Sequence, residues 1–323
     1  MDAVYTYVNG ANPSWRAQYA AAAKIPLSDI RFSDHGEIVF SVQLLLKHAT
    51  EWLRNVYVVH AGSGLKEDTL DALEQAFAAS THRLIIVPQD DLLPGPSFSS
   101  CTVEAHLHLL PGLSENFVYL NDDMGLGRSI RRTSFIAEDG KPIVDFSAVT
   151  RGHVVCNMSQ QHNENAWKLF CARFRPNIPK VYVSHFPAIM TQTGCRRTWE
   201  YFASALESMP VVRSLATINF QLLAGLVSLH EGLVHMRTRA HLPPHRLARA
   251  FVEMEAEGMQ YIQEQRPHFF CINGVSEETC GAYRAFCRGF LASLKNPAPD
   301  ITRWSWAPLP RAGGDDRRIV GIH

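Results

Sequence analysis

Strands that alternate with helices make this sequence an α/β protein on a mostly parallel sheet with helices on both faces, and three observations predict it. β-rich runs and helical periodicities take turns through the first half of the chain, the order in which crossovers join parallel strands. Runs at residues 2–8, 55–60 and 117–120 stop abruptly at Asn9-Gly10, at Ala61-Gly62-Ser63-Gly64 and at Asn121-Asp122-Asp123. Of the 323 residues, 46% are apolar and 19% charged, enough for a substantial core in one large domain or two smaller ones.

In order, residues 2–8 (Asp-Ala-Val-Tyr-Thr-Tyr-Val) form a strand that ends in a turn at Asn9-Gly10-Ala11-Asn12-Pro13. Residues 37–49 place Val39, Val42, Leu45 and Leu46 at helical spacing. A second strand at 55–60 and a helix at 66–77, with Leu70, Leu73 and Phe77 on one face, follow. A third strand at 83–87, a helix at 101–110 and a fourth strand at 117–120 complete the core, residues 1–135. Beyond it, helical patterns dominate at 163–174, 197–207, 217–230, 245–262 and 276–294, with proline clusters at Pro243-Pro244 and Pro297-Ala298-Pro299. Residues 136–300 are therefore expected to be a helical C-terminal elaboration packed over the sheet edge, and 301–323 an extended tail.

Composition excludes several classes. Thirty-one basic residues balance thirty-one acidic ones, so no basic field attracts nucleic acid. No apolar run reaches the ~18–20 residues of a membrane span. The opening strand is unlike a secretory leader, so none is expected. Seven cysteines without a Cys-x-x-Cys pair suggest free thiols in a reducing cytoplasm. Trp304, Trp306 and the basic tail are either packed or extended segments, or a peripheral contact with the inner membrane face or an assembly partner.

Ligands of parallel sheets sit beyond the strand C-termini, where all three turns would meet. Asp122 and Asp123 at a strand end can hold a hard divalent cation, and through it a pyrophosphate; the plainer reading is an Asp-rich turn. Arg31-Phe-Ser-Asp34-His-Gly-Glu37 can bind a phosphate or sugar hydroxyls at a helix N-terminus, or simply cap that helix. Glu104 and His108 stand four apart and can pair on one helical face. His185, on a loop after the strand-like Val181-Tyr182-Val183, can serve as a general base. Arg213 can counter a phosphate charge or be an ordinary surface arginine.

These segments together resemble the Stealth family of sugar-phosphate transferases, which includes bacterial capsule polymerases and the enzyme that places N-acetylglucosamine-1-phosphate on lysosomal glycans. The likeness is carried in order by residues 2–15, by 31–37, by Lys47-His48-Ala49 with 52–59, and by Pro96 to Ser100. It continues through Val103-Glu104, Leu107-His108 and residues 111–123, then His185-Phe186-Pro187, and Phe270 to Asn273 with 290–299. The resemblance implies a mostly parallel Rossmann-like nucleotide-sugar-binding sheet and a nucleotide-sugar donor, usually a UDP-sugar. A saccharide hydroxyl would attack the phosphorus bearing the sugar, and nucleoside monophosphate would leave. It assigns Asn9, Gly10 and Asn121 to the donor, with Arg31, Glu37, Glu104 and His108 also contacting substrate. A divalent cation, Mg²⁺ or Mn²⁺, would be held by Asp122 or Asp123 with Asn273. His185 is the base, and Asp123, Arg213 and Asp34 complete the catalytic set.

The sequence also departs from the family pattern. Val39 and Gln43 stand where cations are usual, Ser99 interrupts a Phe-Asn-Ser triplet, Gln192 replaces a lysine, and Gly274 replaces an aspartate. Two alternatives stay open: a glycosyltransferase that releases nucleoside diphosphate, and a non-catalytic nucleotide-sugar-binding relative.

Overall fold

The structure, a computed structural model, describes residues 1–24, 34–62, 64–150, 152–238, 249–253 and 255–295. Arg31, Ser33, both proline clusters and the 301–323 tail therefore lie outside the described residues. At the centre is a five-stranded sheet of β1 (Asp2–Val8), β2 (Asn55–Ala61), β3 (Arg83–Pro88), β4 (Asn116–Asn121) and β8 (Ala188–Thr191). Its order is β3-β2-β1-β4-β8; β1 pairs in parallel with both β2 and β4, and β8 runs antiparallel to β4. The chain thus leaves β1 for one side of the sheet and returns to its other side at β4. Such a reversal opens a crevice beyond the C-terminal ends of the two strands.

Strand periodicity decides which face each tyrosine of the sheet covers. Tyr57, Val4 and Tyr119 lie in register across one face. Their faces meet α4 (Ser100–His106) and the loop after it, where the Tyr119 hydroxyl donates to Glu104 (3.2 Å) and that of Tyr57 to the Pro111 carbonyl (3.0 Å). Tyr5 and Tyr7 point to the opposite face, against α2 (Glu37–His48); Tyr5 shares a hydrogen bond with Ser41, and Tyr7 donates to Asp34. Tyr5, Tyr57 and Tyr119 are fully buried, and leaving any of their hydroxyls unpaired would cost ~1–3 kcal/mol. α1 (Pro13–Ala23) starts at Asn12, whose side chain accepts from the Trp15 amide, and α3 (Glu67–Phe77) crosses from β2 to β3.

The second half is less helical than its periodicity suggests. Helices α5 (Met158–Phe174), α6 (Gln192–Glu207), α7 (Phe220–His230), α8 (Ala256–Gln265) and α9 (Cys280–Ser293) are interspersed with two three-stranded sheets. One has the order β10 (Arg249–Glu253), β11 (Phe269–Asn273), β5 (Met124–Leu126), and the other β7 (Val181–Tyr182), β6 (Ile143–Ala148), β9 (His235–Thr238). The expected 245–262 helix is instead a strand followed by a shorter helix, and the 101–110 helix tightens into a 3₁₀ turn at Leu107–Leu109. β5 leaves the acidic turn and pairs antiparallel with β11, which requires close approach: a Cβ on Gly125 would sit 2.3 Å from the Phe270 ring. The seven cysteines form no disulfide, and no described helix is long and apolar enough to cross a membrane.

Candidate active site

The crevice between β1 and β4 receives side chains from both faces of the sheet. A cleft of about 190 Å³ there is lined by Thr6 to Val8, by Ser97 to Ser100, and by Asn121, Asp122 and Arg213, among others. Asn121, Asp122 and Asp123 follow directly from β4, as the apolar run ending in polar residues foretells. β11 fixes the far side of this turn, since the Ile272 amide donates to the Asp123 carbonyl.

Asp123 and His185 form an ion pair. The imidazole Nε2 lies 3.2 and 3.3 Å from the two carboxylate oxygens and 3.4 Å from Asn121 Nδ2. Burial opposes charge on both groups. Each nevertheless stabilises the other's ionised form, so the His185 pKa is raised and that of Asp123 lowered. The Cys271 thiol donates to Asp123 Oδ2 at 3.2 Å, further favouring the carboxylate.

Asp122 behaves in the opposite sense. Burial, then the charges of Asp123, Glu37 and Asp34, push its pKa well up. Glu37, buried at the start of α2, is pushed up to about 7, chiefly by burial, with Asp34 and Asp123 adding to it. Asp34, Glu37, Asp122 and Asp123 thus form a carboxylate nest at the sheet edge, in which, after burial, Asp34 and Asp123 raise the pKa values of Asp122 and Glu37. Carboxylate oxygens are the donors a hard divalent cation takes. A mixed set also exists: one donor atom each from Asp123, His185 and Cys271 lie within 4.8 Å of one another, a combination better suited to a softer ion.

Asp34 belongs to the nest electrostatically, but its oxygens are engaged. Oδ2 accepts from Tyr7 (2.5 Å) and Thr69 (3.1 Å), with Lys66 Nζ at 3.6 Å, while Oδ1 accepts from the Gly36 amide. Glu37 Oε2 accepts from the His35 amide and stands in the first turn of α2, but the helix is entered through Gly36 (φ +96°) with no side-chain cap, so Asp34 does not cap it and Ser33 lies outside the described residues. Asp34 is consequently placed to fix the loop.

On the other face, Glu104 is 3% exposed and accepts from Tyr119 and Gln221. Burial raises its pKa, against the pull of Gln221 and Arg213. Arg213 reaches the cleft, donates to Ser100 Oγ at 2.5 Å, and keeps a buried Nε without a partner. The expected Glu104–His108 pair does not form. The 3₁₀ turn breaks the four-residue spacing, and His108 lies against His106 and Ala105, its pKa lowered by burial to about 4. Neutral and buried, His108 is not among the residues that line the cleft.

Asn9 and Gly10 end β1 as expected, where Asn9 Oδ1 accepts from the Ala11 amide and the Gly10 carbonyl accepts from Arg16. Asn273 closes β11, two residues past Cys271 and hence on the same strand face. Cys271 itself was not legible as a site residue, because only the antiparallel β5–β11 pairing brings it to Asp123.

A mostly parallel α/β protein with a carboxylate-rich, imidazole- and guanidinium-bearing crevice at its switch point is the class that fold and site define. Residues 31–144 match the family model described as Stealth protein CR2, conserved region 2. The capsular polysaccharide phosphotransferase cps1A of Actinobacillus pleuropneumoniae is 32% identical over 151 residues, 43% of this chain and 39% of that protein. The exopolysaccharide phosphotransferase SCO6021 of Streptomyces coelicolor is 36% identical over 148 residues, 43% of this chain and 26% of that protein. This chain thus spans about two-fifths or less of these relatives' length. The capsular polysaccharide phosphotransferase LcbA of Neisseria meningitidis is 24% identical over 299 residues, 86% of this chain and 78% of that protein. A crystal structure of the galactosyltransferase LgtC with donor and acceptor sugar analogs aligns at 11% identity and a TM-score of 0.47, covering 92% of this chain and 98% of that one.

Proposed function

We propose that this chain transfers hexose-1-phosphate from a nucleotide sugar to a saccharide hydroxyl in the synthesis of a capsular or extracellular polysaccharide. The observation that carries this reading is the turn after β4, where Asp122 stands in a carboxylate nest and Asp123 is paired with His185 beside a cleft that Arg213 enters. The relatives of this chain, capsular and exopolysaccharide phosphotransferases, support the reaction class.

In this reaction the acceptor oxygen bonds to the phosphorus that carries the sugar, and that phosphorus loses its bond to the bridging oxygen. The nucleoside monophosphate departs with the bond electrons, and the sugar's anomeric bond stays intact. His185 takes the acceptor proton, and Asp123 stabilises the imidazolium that results. Arg213, with a buried Nε to spare, offers its donors to phosphoryl oxygens, where charge stabilisation matters most. Asp122 and Asp123, with Asn273 at the end of β11, would hold a divalent cation, which when bound supplies neutralising charge at the pyrophosphate.

The test incubates purified protein with a panel of nucleotide sugars, saccharide acceptors and Mg²⁺ or Mn²⁺, and identifies the nucleotide released. Nucleoside monophosphate, lost with EDTA and in Asp122→Asn and Asp123→Asn, is the expected result. Nucleoside diphosphate would establish the glycosyltransferase alternative instead. Donor binding with a trace turnover that Asp123→Asn and His185→Ala leave unchanged would indicate a binding protein.

A further inference from the structure

A second cluster of metal-ligating side chains lies outside this crevice. His35, in the loop that opens α2, meets Glu277 and Cys280 at the start of α9, and one donor atom from each lies within 4.8 Å of the others. Three facts distinguish the cluster from a chance surface grouping. His35 is 6% exposed, and its Nε2 is buried with no hydrogen-bond partner, an arrangement that costs ~1–3 kcal/mol unless something fills it. The His35 backbone is held in place, its amide bound by Glu37 Oε2 at 2.7 Å. Glu277 and Cys280 sit on a turn braced by bonds from the Cys280 amide to the Ser276 carbonyl (2.8 Å) and from the Ser276 amide to Thr279 Oγ1 (2.9 Å).

We propose that His35, Glu277 and Cys280 bind a single transition-metal ion of the Zn²⁺ type that ties the start of α2 to the start of α9. The donor chemistry selects the metal: imidazole, carboxylate and thiolate favour Zn²⁺ or Co²⁺, whereas Mg²⁺ and Ca²⁺ take oxygen. Tetrahedral bonds of 2.0–2.3 Å put donor atoms roughly 3.3–3.8 Å apart, so ligation asks for at most about 1–1.5 Å of closure. The Cys280 thiol now donates to the Glu277 carbonyl at 3.1 Å; on binding it would release its proton to solvent and turn its sulfur to the ion. Three protein ligands leave a fourth position for water. His35 also lines a groove of about 520 Å³ that carries Lys66, Arg284 and Arg288. Because the next residues are Gly36 and Glu37, the ion would hold the α2 entry loop against the carboxylate nest without belonging to it.

The experiment titrates chelator-stripped full-length protein with Co²⁺ and reads the thiolate-to-cobalt charge-transfer absorption, in parallel with the thermal midpoint in Zn²⁺. One ion per chain with that absorption is expected, retained in Cys271→Ser and lost in Cys280→Ser. In Glu277→Gln and His35→Gln affinity should fall by at least about 10–100-fold, the cost of losing even an outer partner. Glu277 is exposed, so Glu277→Gln tests the site without disturbing the fold. The proposal is overturned if wild type shows no thiolate band. It is equally overturned if the band survives Cys280→Ser, or if Cys271→Ser removes it, which would place the ion at the Asp123 cluster.

Discussion

Replacing Asp123 with Asn probes the pair on which the proposed chemistry turns. At 3.2 Å a unit charge pair is worth about 1.3 kcal/mol in water and about 5 kcal/mol at an effective dielectric constant of 20. His185 is 41% exposed and Asp123 23%, so screening places the interaction toward the lower end, roughly 1–3 kcal/mol. Without the carboxylate, burial becomes the leading influence on the imidazole, and the His185 pKa should fall. The sign for stability follows from linkage. The raised imidazole pKa contributes stability below the unfolded value that is lost as pH rises through the folded one. The lowered Asp123 pKa contributes stability above its unfolded value that is lost as pH falls. The pair therefore supports the fold fully between the two unfolded pKa values and progressively less toward the folded ones, and the variant should lose stability mainly in that window. The assay is an NMR titration of the His185 ring proton in metal-free protein, assigned with His185→Gln, at low and high salt. An unchanged or higher His185 pKa in Asp123→Asn would refute the pairing.

Four other variants test the framework. Glu37→Gln should flatten the stability profile between pH 5 and 8: a carboxyl raised from 4.5 to about 7 loses up to ~3 kcal/mol of folded-state stability as pH rises through that range. Urea melts at both ends check this, and an unchanged slope would contradict the burial argument. Gly125→Ala drives a methyl group to 2.3 Å from the Phe270 ring, itself 1% exposed and packed on Phe40 and Phe290. It should cost about 1–3 kcal/mol in denaturant unfolding, whereas Gly281→Ala, with open space at its Cβ, should be near neutral. Asp2→Ala removes the acceptor of two Arg54 bonds and of the Ser114 and Asn55 amides. A loss of ~2–4 kcal/mol is expected, less than for a fully buried pair because Arg54 is half exposed. Wild type should weaken similarly in acid as the lowered Asp2 pKa is passed.

The elements legible in the sequence were those whose signal is local. Tyr5 to Val8 and Phe117 to Leu120 are continuous β-formers stopped by Asn and Asp, and buried parallel strands read that way. Ala188–Thr191 is four residues long, too short to show a period, whereas the β-forming Val181–Tyr182 reads as a strand from composition. Arg249–Glu253 fits a helical pattern until its pairing with β11 makes it a strand. The same distinction holds at the site. Asp122, Asp123 and His185 stood out by their place after strands, whereas the Glu104–His108 pair failed because a 3₁₀ turn intervenes. Cys271 comes from 148 residues beyond Asp123, and no spacing rule reaches across that interval.

The placement of β1 and β8 on either side of β4 has a practical consequence. Residues 31–144, the stretch that matches the family region, contain β4 but neither of its neighbours. Cut out alone, that stretch would expose the amides and carbonyls of this buried strand along both edges, an invitation to stack with other copies. Similarity and foldability thus divide this chain at different points: the smallest piece able to stand by itself must run from the first strand to beyond Thr191.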